Sequence, residues 1–449
     1  MAPTGDVLMT MRDQIRRVGE VRSRWRRAGW RDVARRVILR ISQRLDVESL
    51  QFPLYDHDIA DSTRLYLAPA ESPLDGATRV GWICTPPQAG SGGHTTLFRM
   101  IEALESAGHE CVIFLYDRHG GDITRHAEVI RQWWPWIEAD IRDAEAGITG
   151  VDACVASSWQ TAHVLATHGR DPMERLYFVQ DFEPMFYPSG SISALAEDSY
   201  RFGFHTIALG EMVAGHLAGI GVRAEVAPFG CDTSVYSLTN TTGVRSGVVF
   251  YARPSADRRG YLLGKRALEL FHTMHPEQPI HIYGATAEGW KIPVIDHGTP
   301  TPAQLADLYN GAIAGIALSF TNVSLVAEEL LACGAIPVVN DSPDSRADLD
   351  SPCVAWAQPT AGAIADALGL LVEQASPGLS RTAAASVRHG WGPAQQIVLA
   401  ALDGTGGFRT ERERRLMAAS SVGRMWQTTP APEYPNTPYA AAPTEESGQ

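Results

Sequence analysis

At 449 residues, 45% hydrophobic and 20% charged, the chain has the length for two globular domains and too much apolar content for wholesale disorder. Its formal net charge of −13 argues against a nucleic-acid partner. No run of about eighteen apolar residues marks a membrane span, and the N-terminus lacks the apolar core of a signal peptide. Six scattered cysteines form no CxxC pair or His/Cys cluster. The expectations are a cytoplasmic location, reduced thiols, and neither metal nor cofactor.

Charge is unevenly placed. Twelve arginines lie between Arg12 and Arg44, with Trp25, Val33, Val37, Ile38 and Ile41 near helical spacing. A basic amphipathic helix over 12–44 either touches an anionic membrane surface peripherally or packs beside the body. Residues 1–76 are therefore read as a basic helical extension. Residues 427–449, rich in Pro, Ala, Thr and Ser without apolar periodicity, are expected to be a disordered tail.

Between them the pattern is α/β. Val80–Cys84 is an apolar run followed by a Gly-rich turn, then a helical pattern with Leu97, Phe98, Ile101 and Leu104 on one face. Gly108 ends that helix and residues 111–116 make a second buried strand, completing a βαβ unit with a parallel sheet. Further strands are expected at 153–156, 176–179, 206–209 and 224–227, so residues 77–235 read as one Rossmann-like domain. The polar stretch Thr239–Gly243 marks a boundary. A second series over 245–405 predicts strands at 248–252, 280–283, 313–318 and 336–339, with helices at 260–274, 302–309, 325–332 and 362–374. Two such domains hold a ligand where the carboxyl ends of their strands face each other.

Several residue groups suit a phosphorylated ligand in that cleft. Gly92 and Gly93 precede a helix, where free N–H groups suit a diphosphate, although such glycines also serve plain strand–helix packing. Thr95 replaces the third glycine of a dinucleotide fingerprint, while Asp117 keeps a ribose-binding acid open. Arg253, Arg258 and Arg259, at a strand end and a helix start, can neutralise a pyrophosphate or simply balance surface acids. Glu329 can accept hydrogen bonds from ribose hydroxyls or be an ordinary solvated helix residue. Asp348-Leu349-Asp350 spells DxD but reads as a solvated turn.

The segments E-E-L-L-A-C-G-A-I-P-V-V, A-R-P-x-x-x-R-R-G and A-P-F-G-C-D-T together resemble the GT-B-fold glycosyltransferases of family four, a retaining, nucleotide-sugar-dependent class. F-Y-A-R-P, F-V-Q-D-F-E-P and the N-terminal extension look most like the bacterial rhamnosyltransferases of that family. The resemblance covers residues 79–400. It implies two domains facing across a cleft and a nucleotide-diphosphate sugar donor as substrate. The implied acceptor is a glycan or a lipid-linked, cell-envelope saccharide. Arg253 with Arg258 or Arg259 would hold the donor diphosphate, Gly92 and Gly93 its phosphate side, and Glu329 the ribose. Thr321 and Asn322 would lie by the donor sugar. Thr321 occupies a position where the family usually has a glutamate, so a deoxysugar with fewer polar contacts is implied. Gln180 and Asp181 stand where many relatives have a histidine. With Glu183 they would orient the acceptor hydroxyl, Asp181 as a catalytic residue beside Arg253 and Arg258, or else act as turn residues capping a helix. The implied chemistry is retaining transfer in which the departing diphosphate accepts the acceptor's proton. An NAD-dependent oxidoreductase using Asp117, a non-catalytic nucleotide-sugar-binding protein and a nucleotide-sugar epimerase remain alternatives.

Overall fold

The computed structural model describes residues 52–70, 74, 76–284, 289–387 and 390–403. The basic segment 12–44, most of the 1–76 extension and the 427–449 tail lie outside them. Residues 52–59 and 117–120 group together as a small unit. Within it Arg118 donates to the Leu54 carbonyl at 3.1 Å and lies over the Tyr55 ring. The Asp117 carboxylate accepts from the His119 amide at 2.9 Å, the pattern of a turn acid.

Two parallel sheets form the rest. In the first, β1 (Arg79–Cys84), β2 (Glu110–Leu115), β3 (Asp140–Asp143), β4 (Ala153–Ala156), β5 (Glu174–Val179), β6 (His205–Leu209) and β7 (Glu225–Ala227) lie in the order β3-β2-β1-β4-β5-β6-β7. Its helices are α1 (Gly92–Ser106), α2 (Ile123–Trp133), α3 (Trp159–His168), α4 (Ser191–Ser199) and α5 (Glu211–Gly219). In β1, RVGWIC, every residue after Arg79 is buried, as expected of a strand covered by helices on both faces. Local sequence sets the helix starts. Ser158 and Thr161 form a capping box at α3, and Asp122 accepts from the Thr124 amide at α2.

The second sheet runs β10-β9-β8-β11-β12-β13, built from β8 (Val248–Tyr251), β9 (Ile280–Tyr283), β10 (Ile295–Asp296), β11 (Ala314–Ile316), β12 (Ile336–Asn340) and β13 (Ala355–Ala357). Its helices include α6 (Tyr261–Met274), α7 (Pro302–Gly311), α8 (Leu325–Ala332), α9 (Pro343–Ala347), α10 (Ala361–Gln374) and α11 (Pro377–Ser386). Strand order reverses between β1 and β4 in one sheet, and between β8 and β11 in the other. These are the points where open α/β sheets place ligands.

Three edge strands were not expected. β3 reads DIRD and β10 is exposed, so neither shows the apolar run of a central strand, and β13 is three residues long. The largest difference lies at the end of the second series. The last described helix, α12 (Gly392–Leu402), falls within the expected 245–405 domain, yet its buried Ala394, Val398, Ala401 and Leu402 join the core of the first sheet. Burying Val398 and Leu402 there contributes roughly 1.5–3 kcal/mol each before chain entropy. Sequence periodicity shows that a helix has an apolar face but not which core receives it.

The leading segment from Ala60 also packs on the first domain. The Ala60 amide donates to His163 Nδ1 at 3.0 Å, Ser62 Oγ donates to Asp198 at 2.6 Å, and Arg175 donates to the Ala68 carbonyl at 2.7 Å.

Candidate functional site

The carboxyl ends of both sheets open onto one cleft with a cavity of about 1640 Å³. That exceeds the roughly 300–1,000 Å³ of an ordinary small-ligand pocket, leaving room for two substrates.

The second domain supplies the cationic wall. After β8 the chain turns through Arg253, which donates to the Tyr251 hydroxyl at 3.2 Å and reaches across the cleft to Gln88 Oε1 at 3.4 Å. A single 3-10 turn, Asp257–Arg259, leads to Gly260 at φ +66°, where α6 begins. A Cβ there would sit 2.8 Å from Leu318 Cδ1, so both the backbone angle and the packing require glycine. Arg258 lies over the Phe186 ring at 4.6 Å and its Nη1 lies 3.5 Å from an Asp181 oxygen; that buried Nη1 has no hydrogen-bond partner among the described residues. An unsatisfied buried guanidinium N–H is costly unless an anion completes it.

Arg259 is placed differently. Its guanidinium bonds to Ser319 Oγ, the Asn322 carbonyl at 3.2 Å and Asn322 Oδ1 at 3.1 Å, propping the 319–324 loop from behind. Burial and the adjacent Arg258 lower its pKa to about 10, which leaves it charged at neutral pH.

Glu329 projects from α8 and lines the cavity. Burial raises its pKa to about 7; Asp232 adds to the rise and Arg99 opposes it. Arg99, on α1 of the first domain, pairs with Asp232 in the interdomain linker, and its backbone carbonyl accepts from Gln395 of α12 at 2.9 Å. Glu329 therefore sits in a half-buried charge group drawn from both domains.

The first domain supplies a wall of different character. Gly92 and Gly93 open α1 and line the cavity. A Cβ at Gly92 would meet nothing closer than 3.9 Å, and one at Gly93 nothing closer than 3.7 Å, so packing alone does not demand either glycine. His94 follows. Its Nε2 faces the Thr85 carbonyl at 2.9 Å, which can only accept, so Nε2 carries the proton and Nδ1 accepts from Ser91 Oγ at 2.9 Å. Burial lowers the His94 pKa and keeps the ring neutral. Trp133, Trp134 and Trp136 flank this turn. Trp134 Nε1 donates to Thr95 Oγ1 at 2.9 Å, while Trp136 is 39% exposed.

Gln180, Asp181 and Glu183 follow β5 but do not act alike. Gln180 and Glu183 line the cavity. The Glu183 carboxylate accepts from the Trp159 amide at the start of α3, and burial, reinforced by Asp181, raises its pKa to about 8. Asp181, expected to meet the acceptor, is only 6% exposed and is absent from the cavity wall. Its oxygens accept from Thr321 Oγ1 at 2.8 Å and the Asn322 amide at 3.3 Å. The Thr321 hydroxyl is thereby turned away from any sugar. Asn322 Nδ2 also donates to the Gln180 carbonyl, at 2.6 Å. Asp348 of the DxD sequence is likewise no solvated turn. It caps α5 by accepting from the Glu211 and Met212 amides.

Arg253, Arg258, Arg259, Glu329, Gly92, Gly93, Gln180, Glu183, Thr321 and Asn322 thus line one cleft, whereas Asp181 lies behind it. Sequence reasoning missed Ser91, His94, Arg99 and Asp232. His94 adjoins the glycine pair and Asp232 lies inside the quoted A-P-F-G-C-D-T segment, so position relative to motifs was the available signal. Nothing local marks Arg99.

Fold and cleft together define a GT-B architecture, two Rossmann-like domains facing one cleft. The chain matches the family models described as WsaF, N-terminal domain over residues 120–212 and WsaF, C-terminal domain over 246–369. It is 31% identical over 270 residues to the O-antigen biosynthesis protein RfbC of Myxococcus xanthus. That match covers 57% of this chain but spans only 21% of that relative's length. Among solved structures it resembles Anabaena HepE, crystallised in complex with UDP and glucose, with a TM-score of 0.53 and 12% identity over 77% of this chain and 100% of that one. It also resembles a Listeria monocytogenes structure provisionally assigned as a UDP-N-acetylglucosamine 2-epimerase, with a TM-score of 0.52 and 10% identity over 75% and 98%. These structural likenesses establish the fold. Among the described residues no helix is long and apolar enough to cross a membrane.

Proposed function

We propose that the chain is a nucleotide-sugar-dependent glycosyltransferase that transfers a sugar, with retention, to a glycan or lipid-linked acceptor in the synthesis of a cell-envelope polysaccharide. The observation that carries this reading is the pairing, in one cleft, of Arg253 and the unsatisfied Arg258 with the open glycine turn of α1 and with Glu329. The matches to the WsaF models and to an O-antigen biosynthesis protein support it.

In this reading Arg253 and Arg258 hold the diphosphate against the first amides of α1, and Glu329 takes the ribose hydroxyls. As the anomeric carbon–oxygen bond to the diphosphate breaks, negative charge grows on the leaving oxygen and the guanidinium groups stabilise it. The acceptor hydroxyl forms the new bond from the same face and its proton passes to the departing diphosphate, so no protein base is required. Arginine supplies the positive charge, and the proposal includes no resident metal or cofactor. A deoxyhexose such as rhamnose is favoured because the Thr321 hydroxyl is bonded to Asp181 rather than offered to a sugar. The indole faces of Trp133 and Trp136 suit a glycan acceptor, whose apolar ring faces stack on aromatic surfaces. Residues 12–44 are the segment proposed to touch a membrane surface peripherally.

The test is a thermal-shift screen against uridine, guanosine and thymidine diphosphates, their sugars and NAD, repeated with Arg253→Ala and Glu329→Ala. Stabilisation by one nucleotide sugar, abolished by both substitutions, supports the donor site. Stabilisation by NAD alone overturns it, and conversion of the sugar nucleotide without acceptor to an epimer redirects it.

A further inference from the structure

Asp181 belongs to the first domain, immediately beyond β5, yet its carboxylate is held from the second. Thr321 Oγ1 donates to Oδ2 at 2.8 Å, the Asn322 amide donates to Oδ1 at 3.3 Å, and Arg258 Nη1 lies 3.5 Å from Oδ2. The neighbouring Gln180 carbonyl accepts from Asn322 Nδ2 at 2.6 Å. Behind Asp181, the Tyr200 hydroxyl donates to its backbone carbonyl at 3.3 Å and anchors it to the first domain. The group is buried and outside the cavity wall, so it does not reach a substrate.

Its partners are the elements that the site needs in place. Thr321 and Asn322 belong to the 319–324 loop, which Arg259 props from the other side through Ser319 and Asn322. Arg258 lines the cavity, and its buried Nη1, the atom nearest Asp181, has no hydrogen-bond partner among the described residues. An opening of the domains by about 1 Å at this point would stretch the 2.8 Å Thr321 bond well beyond the roughly 2.5–3.0 Å of an O–H···O hydrogen bond and carry Arg258 away from Asp181. Two α/β domains joined by a linker are free to make such movements.

We propose that Asp181 is a positioning residue that assembles the cationic wall on domain closure, setting Arg258 and the 319–324 loop from the opposite domain. The term cationic wall of a diphosphate site rests on the function proposed above; the interdomain coupling does not.

The experiment is a double-mutant cycle of Asp181→Ala and Thr321→Val, with Asp181→Asn alongside. Each variant is measured by thermal midpoint and small-angle scattering without nucleotide, then by calorimetry with uridine, guanosine and thymidine diphosphates. Each single substitution is expected to enlarge the radius of gyration, lower the midpoint and weaken the diphosphate that binds by about tenfold. The double variant should be no worse than the weaker single. Asp181→Asn, whose amide oxygen still accepts from Thr321, should recover affinity to within about threefold of the parent. Additive effects, or a change confined to the acceptor KM with scattering and diphosphate affinity unchanged, would overturn the proposal. Coupling between positions 181 and 321 without binding of any diphosphate would retain the closure role and remove the glycosyltransferase reading. Tight diphosphate binding without coupling would do the reverse.

Discussion

The two walls of the cleft use different chemistry. The second domain presents guanidinium groups and a half-buried glutamate, held by a tight Gly260 turn and a propped loop. The first domain presents helix amides, a neutral serine–histidine pair and three tryptophans. In the function proposed above, the guanidinium wall meets the diphosphate charge, and the first-domain wall combines helix amides for the phosphates with an aromatic surface for an uncharged glycan. Two parallel sheets with the same order over six strands, the first carrying a seventh, thus present different side chains at their strand ends.

Breaking the cationic wall should have the largest effect. If Arg253 and Arg258 stabilise the leaving diphosphate, replacing both by alanine should lower kcat/KM by at least about a hundredfold. Steady-state kinetics with the donor found in the screen would show it, and a loss under fivefold would remove the arginines from that role. Next is Gly93→Ala. The added Cβ meets only Gln180 Oε1 at 3.7 Å, so the thermal midpoint should hold while donor affinity falls by about tenfold where backbone and phosphate meet. Equal losses of stability and affinity would make the glycine a packing residue after all. Trp136→Ala should raise the acceptor KM roughly fivefold, the effect of losing about 1 kcal/mol of apolar contact, and leave donor affinity alone. A change in donor affinity instead would place Trp136 with the donor.

The smallest expected effect is on pH dependence. The carboxyls of Glu328 and Glu329 have pKa values raised to about 7 and that of Glu183 to about 8. Their folded forms therefore hold protons that the unfolded chain releases near 4.5. The stabilising contribution is fully present below that value, falls as pH rises, and is gone once pH passes the folded values. Denaturant titrations should thus show stability declining between about pH 4.5 and 8, with part of the decline removed by Glu329→Gln. A stability that rises over this window would contradict the burial assigned to these groups.

The central strands were legible because each is a short, nearly continuous apolar run closed by turn residues, as in Val248–Tyr251 and Ile336–Asn340. Arg253, Arg258 and Glu329 were legible for a related reason, since each lies directly after such a strand or on the helix leading into one. Edge strands such as DIRD were not, because pairing on one side requires no apolar run. Asp181 shows a different limit. The sequence places an acid at a strand end, where ligands bind, but not that a threonine 140 positions later faces it from the other domain. Arg99 is similar, because its partner Asp232 is set by how the domains meet and not by local pattern.

Helix α12 has a consequence for the order in which the molecule is made. The core of the first sheet includes Trp391, Ala394, Val398, Ala401 and Leu402, so the domain begun near residue 79 lacks part of its interior until residue 402 has emerged from the ribosome. During synthesis of the whole second series, the groove awaiting α12 beside α1 is open to solvent and to chaperones. A nascent chain stalled before Gly392 should be cleaved by protease within the first domain more readily than one released after residue 403. Equal resistance would mean that this domain matures without its last helix.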